Sequence, residues 1–215
     1  ALGAAEYLTK PIDRARLAFA TARQKIDERD PSDYYGSPLR NRAALITLAV
    51  EAGRDCLRGF ARQVDRVQLA STTLPFADRS NSGVVADALL LPSEVATEDL
   101  AGSRRSATSA LGRLGATPGG STLLLAADCR ETRPGSMQEM NYGHGAAALL
   151  FGEGDPIAVV RGAAAVHEDM VDQYRAADAD YDYALEERWI REEGYNKLVP
   201  PAVKAAAQRA GLDLG

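Results

Sequence analysis

The chain is poor in the residues that usually carry metal and redox chemistry. Its 215 residues include two cysteines and two histidines, and aromatics make up 6%. Cys56 and Cys129 stand far apart without a CxxC partner, so neither a disulfide framework nor a thiolate zinc site is indicated. Both read as buried structural thiols. His144 and His167 are too few and too separated to suggest metal ligands, so no metal is expected in this chain. Basic excess is also missing: the net charge is -5 and the pI about 5.2, which argues against a protein that tracks nucleic-acid phosphates. No apolar run approaches the roughly 18 residues of a membrane span, and the Ala-rich start lacks the layout of a secretory signal. These absences leave a cytoplasmic globular protein with protein or metabolite partners as the expectation.

What is present is patterned for a layered α/β domain. Residues 1–40 hold turn signals around "RARLAFATARQK", a basic segment with plausible helical character. From Asn41, apolar Leu45, Leu48, Ala49, Ala52, Cys56 and Phe60 recur at helical spacing, as in an amphipathic helix packed on a sheet. "RVQLAST" reads as a buried strand, "SGVVADALLLP" as a helix stopped by Pro92, and "EVATEDL" as a strand. Ser103 to Leu114 tolerates helix, and "GATPGGS" reads as a loop. The continuous apolar run "STLLLAAD" predicts a central strand. "GHGAAALLFG" and "PIAVVRGAAAV" predict two more, joined by the turn "EGDP". "DYALEERWIREEGYNKL" and "PPAVKAAAQRAGL" predict terminal helices, the second opening on proline. The sum is a mixed sheet between helical layers. The chain stops after "AGLDLG", where a further strand is expected to begin.

The order of these elements, and the words "LASTTLPFADRSN", "EDLAGSRRSATSAL", "LLLAADCRETRPGSMQEMNYGHGAAALLFG" and "RGAAAVHEDMVDQYR", resemble the N-terminal half of the thiolase superfamily. The resemblance is strongest to its hydroxymethylglutaryl-CoA synthase and β-ketoacyl-ACP synthase III branch. It implies an α-β-α sandwich with a mixed sheet, one half of a duplicated fold, in which 1–40 forms an N-terminal extension or first-strand region and 41–215 the thiolase-like half. It also implies an acyl-CoA thioester substrate and acyl transfer with C–C bond formation or cleavage. A partner chain would supply the C-terminal half with its histidine, and a small zinc-ribbon/OB-fold protein is a further expected companion.

Acyl transfer from a thioester needs a nucleophile, commonly a cysteine whose thiolate is stabilised at a helix start. By the resemblance this cysteine precedes a threonine, and counting back four residues from Thr108 reaches Arg104, a permanent cation that cannot attack. Ser103 beside it is a weaker nucleophile candidate because no base lies near it in sequence. The branch's glutamate acid/base matches Thr73, whose hydroxyl cannot exchange a proton near neutrality.

Arg104 and Arg105 admit three readings: an inert helix start, an anion-recognising site in which Arg105 and Thr108 hold coenzyme A, or a group projecting into a catalytic partner. Tyr142 and His144, in "YGHGA", are further candidates for a pocket role, with core or interface packing as the alternative. The function expected is therefore a subunit of a thiolase-like enzyme that is not self-sufficient. The alternative is a non-catalytic structural subunit that stabilises an active partner.

Overall fold

The computed structural model describes residues 17–22, 38–59, 63–116, 120–152 and 156–213. Two compact units emerge: one comprises Ala1–Leu111, Pro118–Arg130 and Gly143–Ala158, the other Gly112–Thr117, Glu131–Tyr142 and Val159–Gly215.

The first unit is built on a five-stranded sheet. Its strands are β1 (Leu17–Ala22), β2 (Arg66–Ala70), β3 (Ala96–Leu100), β4 (Thr122–Asp128) and β5 (His144–Phe151), in the order β1-β5-β4-β2-β3. The pairs β2–β3 and β2–β4 are parallel, while β5 runs antiparallel to both β4 and β1. The run "TLLLAAD", apolar from Leu123 to Ala127, does form the central strand, as such a segment with neighbours on both sides should.

Helices α1 (Pro38–Leu57) and α2 (Asn81–Ala88) cover one face of this sheet. Leu45, Ala49, Ala52 and Cys56 of α1 and Val85 of α2 meet Val67 and Leu69 of β2, Leu123 and Leu125 of β4, and Ala148 of β5, all with no exposed surface. The predicted spacing from Leu45 to Cys56 is thus the buried stripe; Phe60 lies outside the described residues.

Helix α2 ends at Ala88, before the "LLL" that precedes Pro92, and Leu90 then takes a φ of 56°. Pro92 disfavours helical geometry at the residue before it, so the helix closes early through a left-handed residue. Helix α3 (Ser106–Ala116) starts later than Ser103 and continues through Gly115 into the segment read as a loop.

Three expectations need correction. Leu17–Ala22, read with its basic flanks as helical, is strand β1, because "LAFATA" alternates and finds a partner in β5. "PIAVVRGAAAV" forms no strand: β5 is already flanked by β1 and β4, so no sheet edge beside it is vacant. That segment instead lies on the C-terminal helix, where the Arg209 guanidinium donates to the Ala163 carbonyl at 2.6 Å. Its turn "EGDP" falls mostly outside the described residues.

The third correction concerns the terminal helices, which form one helical run. After α4 (Met137–Asn141) and a ribbon of β6 (Gln173–Tyr174) and β7 (Tyr183–Ala184), the chain forms α5 (Glu187–Trp189), a π-helical turn over Ile190–Tyr195, and α6 (Asn196–Arg209). Pro200 and Pro201 sit inside α6 and do not open it. The π turn changes the hydrogen-bond register just upstream, the kind of irregularity that accompanies proline in a helix. Among the described residues, no helix is long and apolar enough to cross a membrane.

Candidate functional site

The parallel register sets Ala70 of β2 level with Leu100 of β3 and with Ala126 of β4, so three loops leave the sheet side by side at its carboxyl edge. Such edges are where α/β proteins place ligand chemistry, because strand ends hold loop residues rigidly.

The first loop is anchored by Asp128 at the end of β4. Its Oδ1 accepts from Ser71 Oγ at 3.1 Å, Thr72 N at 2.9 Å, Thr72 Oγ1 at 3.0 Å and Thr73 Oγ1 at 2.9 Å. The Thr73 hydroxyl in turn accepts the Cys129 N–H at 2.9 Å, and Arg130 Nη2 donates to Thr72 Oγ1 at 2.5 Å. One carboxylate oxygen therefore gathers the hydroxyl-rich turn "STT", and the Arg130 guanidinium adds a donor to its middle residue. Charge-assisted bonds of this kind are stronger than neutral ones and fix the turn.

The far end of the same loop is held by Asn81, which is only 1% exposed. Asn81 Nδ2 donates to the Phe76 carbonyl at 2.9 Å, and its Oδ1 accepts the Phe76 N–H at 3.1 Å. Asp99, next to the end of β3, accepts the Asn81 N–H at 2.8 Å and the Ser82 N–H at 2.7 Å, capping the start of α2. Burial pushes the Asp99 pKa up, but the hydrogen bonds from Ser82 and Asn81 outweigh it and hold the carboxyl below its ordinary value. Arg79 lies over the Phe76 ring, 5.0 Å from its centre.

The second loop, Ala101–Arg105, is exposed and turns through Gly102 at a φ of 84°, which a side chain would strain. Ser103 Oγ accepts the Arg105 N–H at 3.2 Å, a local cap that uses the hydroxyl for structure. Thr108, one turn into α3, donates to the Arg105 carbonyl at 3.0 Å and so steadies the same turn. Arg104 and Arg105 are both exposed.

His144 opens β5 at this edge, half-buried and opposite Ala22, while its neighbour Gly145 faces Asp128. The sheet thus brings Thr73, Ser103, Arg104, Arg105 and His144 to one edge. Tyr142 belongs to the second unit, where its hydroxyl donates to Gln173 Oε1 at 2.9 Å.

Both thiols are buried, Cys56 with 0% and Cys129 with 5% of its surface exposed. Burial, reinforced by the negative charge of Asp128, pushes the Cys129 pKa up to about 12. It is a thiol at neutral pH, not a thiolate. Among the described residues no cluster of three or more His, Cys, Asp or Glu is placed to hold a metal ion.

Asp128, Arg130, Asn81 and Asp99 were not singled out from the sequence. An acid closing the apolar run "LLLAAD", with a hydroxyl triplet closing a neighbouring strand, is the signal that marks them.

The fold is shared with solved structures of other proteins. The fold is thiolase-like. It matches a hydroxymethylglutaryl-CoA synthase complexed with CoA at a TM-score of 0.72 and 19% identity, over 94% of this chain and 57% of that one. It matches a 3-oxoacyl-(acyl-carrier-protein) synthase III at a TM-score of 0.61 and 19% identity, over 93% of this chain and 75% of that one.

In sequence the thiolase-like chain is similar to hydroxymethylglutaryl-CoA synthases. It is 27% identical to that of Methanocella arvoryzae over 141 residues, which cover 63% of this chain and 41% of the relative. It is 26% identical to that of Thermococcus onnurineus over 176 residues, 78% of this chain and 50% of the relative. The chain thus spans about half the length of the curated relatives it matches. No protein-family model matches it.

Proposed function

We propose that this chain is one half of a thiolase-like protein that processes acyl-CoA thioesters, and that a partner chain supplies the other half and the nucleophile. The observation that carries this reading is the pairing of a thiolase-like fold with a chain whose only two thiols are buried. Thioester attack needs an accessible thiolate or an activated hydroxyl. Cys129 is held neutral, and the Ser103 hydroxyl is used to cap its own turn.

The role left to this half is electrostatic. Arg104 stands on the turn where the family resemblance places the nucleophile, and a fixed cation there favours the negative charge that develops on a thioester oxygen. The small zinc-ribbon/OB-fold companion expected from the resemblance would deliver the acyl-CoA. The reaction is acyl transfer with C–C bond formation or cleavage.

A second reading has its own support: Thr73, at the position of the family's acid/base, is 8% exposed and bridges Asp128 to the Cys129 N–H. That is a structural staple, as expected of a degenerate half kept to stabilise an active partner.

The test is to purify the chain with whatever binds it, weigh the complex by native mass spectrometry and assay it with acyl-CoA. The first reading expects a stoichiometric partner, turnover, and a loss of roughly a hundred-fold in the complex carrying Arg104→Ala, with assembly intact. Weakened assembly with turnover retained supports the structural reading, and a chain with neither partner nor thioester binding overturns both.

A further inference from the structure

The second unit has almost no buried interior. Among the described residues, every member of the packed apolar core belongs to the first unit, and the only apolar side chains buried in the second are Ile190 and Ala207. Most of the large apolar side chains that stay exposed lie in this second unit, Trp189, Tyr195, Val199, Val203 and Leu212 among them. A lone exposed apolar residue needs no explanation, but a row of them along one helix does.

Val199 and Val203 stand one turn apart on α6, 51% and 49% exposed, and Tyr195 stands four residues before them. The row ends at Ala207, which is buried. The adjoining row, Leu198, Ala202 and Ala206, is half-buried, and the unit's own Gly162–Ala163 segment packs beside it: an added Cβ at Gly162 would meet the Ala206 carbonyl oxygen, and Arg209 donates to Ala163. Two adjoining apolar rows suit a helix packed against two neighbours, and only one of them has its neighbour in this unit. Propensity does not explain the helix either. Pro200, Pro201 and the two valines make α6 a poor helix by itself, and helices of this length are held chiefly by burying an apolar face.

The cover is indicated by the length of the relatives. The solved hydroxymethylglutaryl-CoA synthase that matches 94% of this chain is matched over 57% of its own length, and the curated relatives over about half. In each, much more of the same polypeptide accompanies the matched part. We infer that Tyr195, Val199 and Val203 form the surface on which the other half of the thiolase-like fold docks. The inference rests on the proposed function for the partner's identity, and adds the place at which that partner is held.

The experiment uses the complex purified with its partner chain, whose sequence is read by mass spectrometry. Two double variants are compared with the parent, Val199→Gln/Val203→Gln and Val199→Leu/Val203→Leu. Glutamine and leucine are both better helix formers than valine, so either variant, free of partner, should melt no lower than the parent. The glutamine pair should weaken the complex by roughly thirty-fold or more, because two side chains lose their apolar burial, while the leucine pair stays within about three-fold. Amides of 196–207 should also exchange more slowly in the complex than in the chain alone. Unchanged affinity of the glutamine pair, or no added protection, overturns the surface and leaves the partner reading standing. A complex of two copies of this chain, or one whose partner is no thiolase-like half, overturns the inference through its occupant. The absence of any complex overturns it together with the reading on which it rests.

Discussion

The Thr73 hydroxyl donates to Asp128 Oδ1 and accepts the Cys129 N–H, both at 2.9 Å, so one oxygen ties the loop after β2 to the end of β4. Thr73→Val keeps the shape but leaves the buried Cys129 N–H without its acceptor and takes one of four donors from Asp128 Oδ1. The expected loss is about 1–3 kcal/mol in urea unfolding, with Thr73→Ser close to the parent. A valine variant as stable as the serine variant would show that the bridge contributes nothing.

The buried thiols predict chemical silence. Both Cys56 and Cys129 lie under the sheet's packed surface, and Cys129 has a pKa near 12. A disulfide dye at pH 8 should label neither thiol in the native chain within minutes, and both after denaturation. Intact-mass spectra of the chain incubated alone with acetyl-CoA should show no acyl adduct. Rapid labelling of one native thiol, or an adduct on it, would return the nucleophile to this chain.

Strands that announce themselves locally were legible, and those that depend on a distant partner were not. "TLLLAAD" is apolar from Leu123 to Ala127 and becomes the central strand. "PIAVVRGAAAV" has the same character, yet remains outside the sheet because β1, far away in sequence, occupies the edge of β5. No local window contains that competition. The cluster around Asp128 was hidden for the same reason: its partners lie 55 to 57 residues away, and a lone aspartate at a strand end carries no periodic signature. Arg104 and Ser103 could be found because a nucleophile turn is a contiguous word. Tyr142 could not be assigned, since its neighbour in sequence, His144, belongs to the other unit.

Asp99 predicts a specific acid response. Burial alone would raise its pKa, but the donors on Ser82 and Asn81 depress it, so the folded protein binds its proton less readily than the unfolded chain does. The stability this adds is fully present above the unfolded value, near pH 4, and is lost as pH falls through the lower folded value. Unfolding free energy measured between pH 6 and pH 3 should therefore fall more steeply for the parent than for Asp99→Asn. Parallel curves would mean that Asp99 is not the group being titrated.

Two glycines should respond oppositely to alanine. At Gly162 an added Cβ would meet the Ala206 carbonyl oxygen at 2.6 Å and the Ala210 nitrogen at 2.8 Å, both backbone atoms of the α6 C-terminus that cannot swing away. Gly162→Ala should cost about 1–3 kcal/mol. At Gly112, inside α3, the nearest atom is the Ala163 Cβ at 3.4 Å, an ordinary contact. Gly112→Ala there removes backbone freedom from the unfolded chain and should add about 0.5–1 kcal/mol. Thermal unfolding should move the two variants in opposite directions by a few degrees. If Gly162→Ala melts with the parent, the segment around Ala163 does not press on α6 as closely as its hydrogen bond from Arg209 requires.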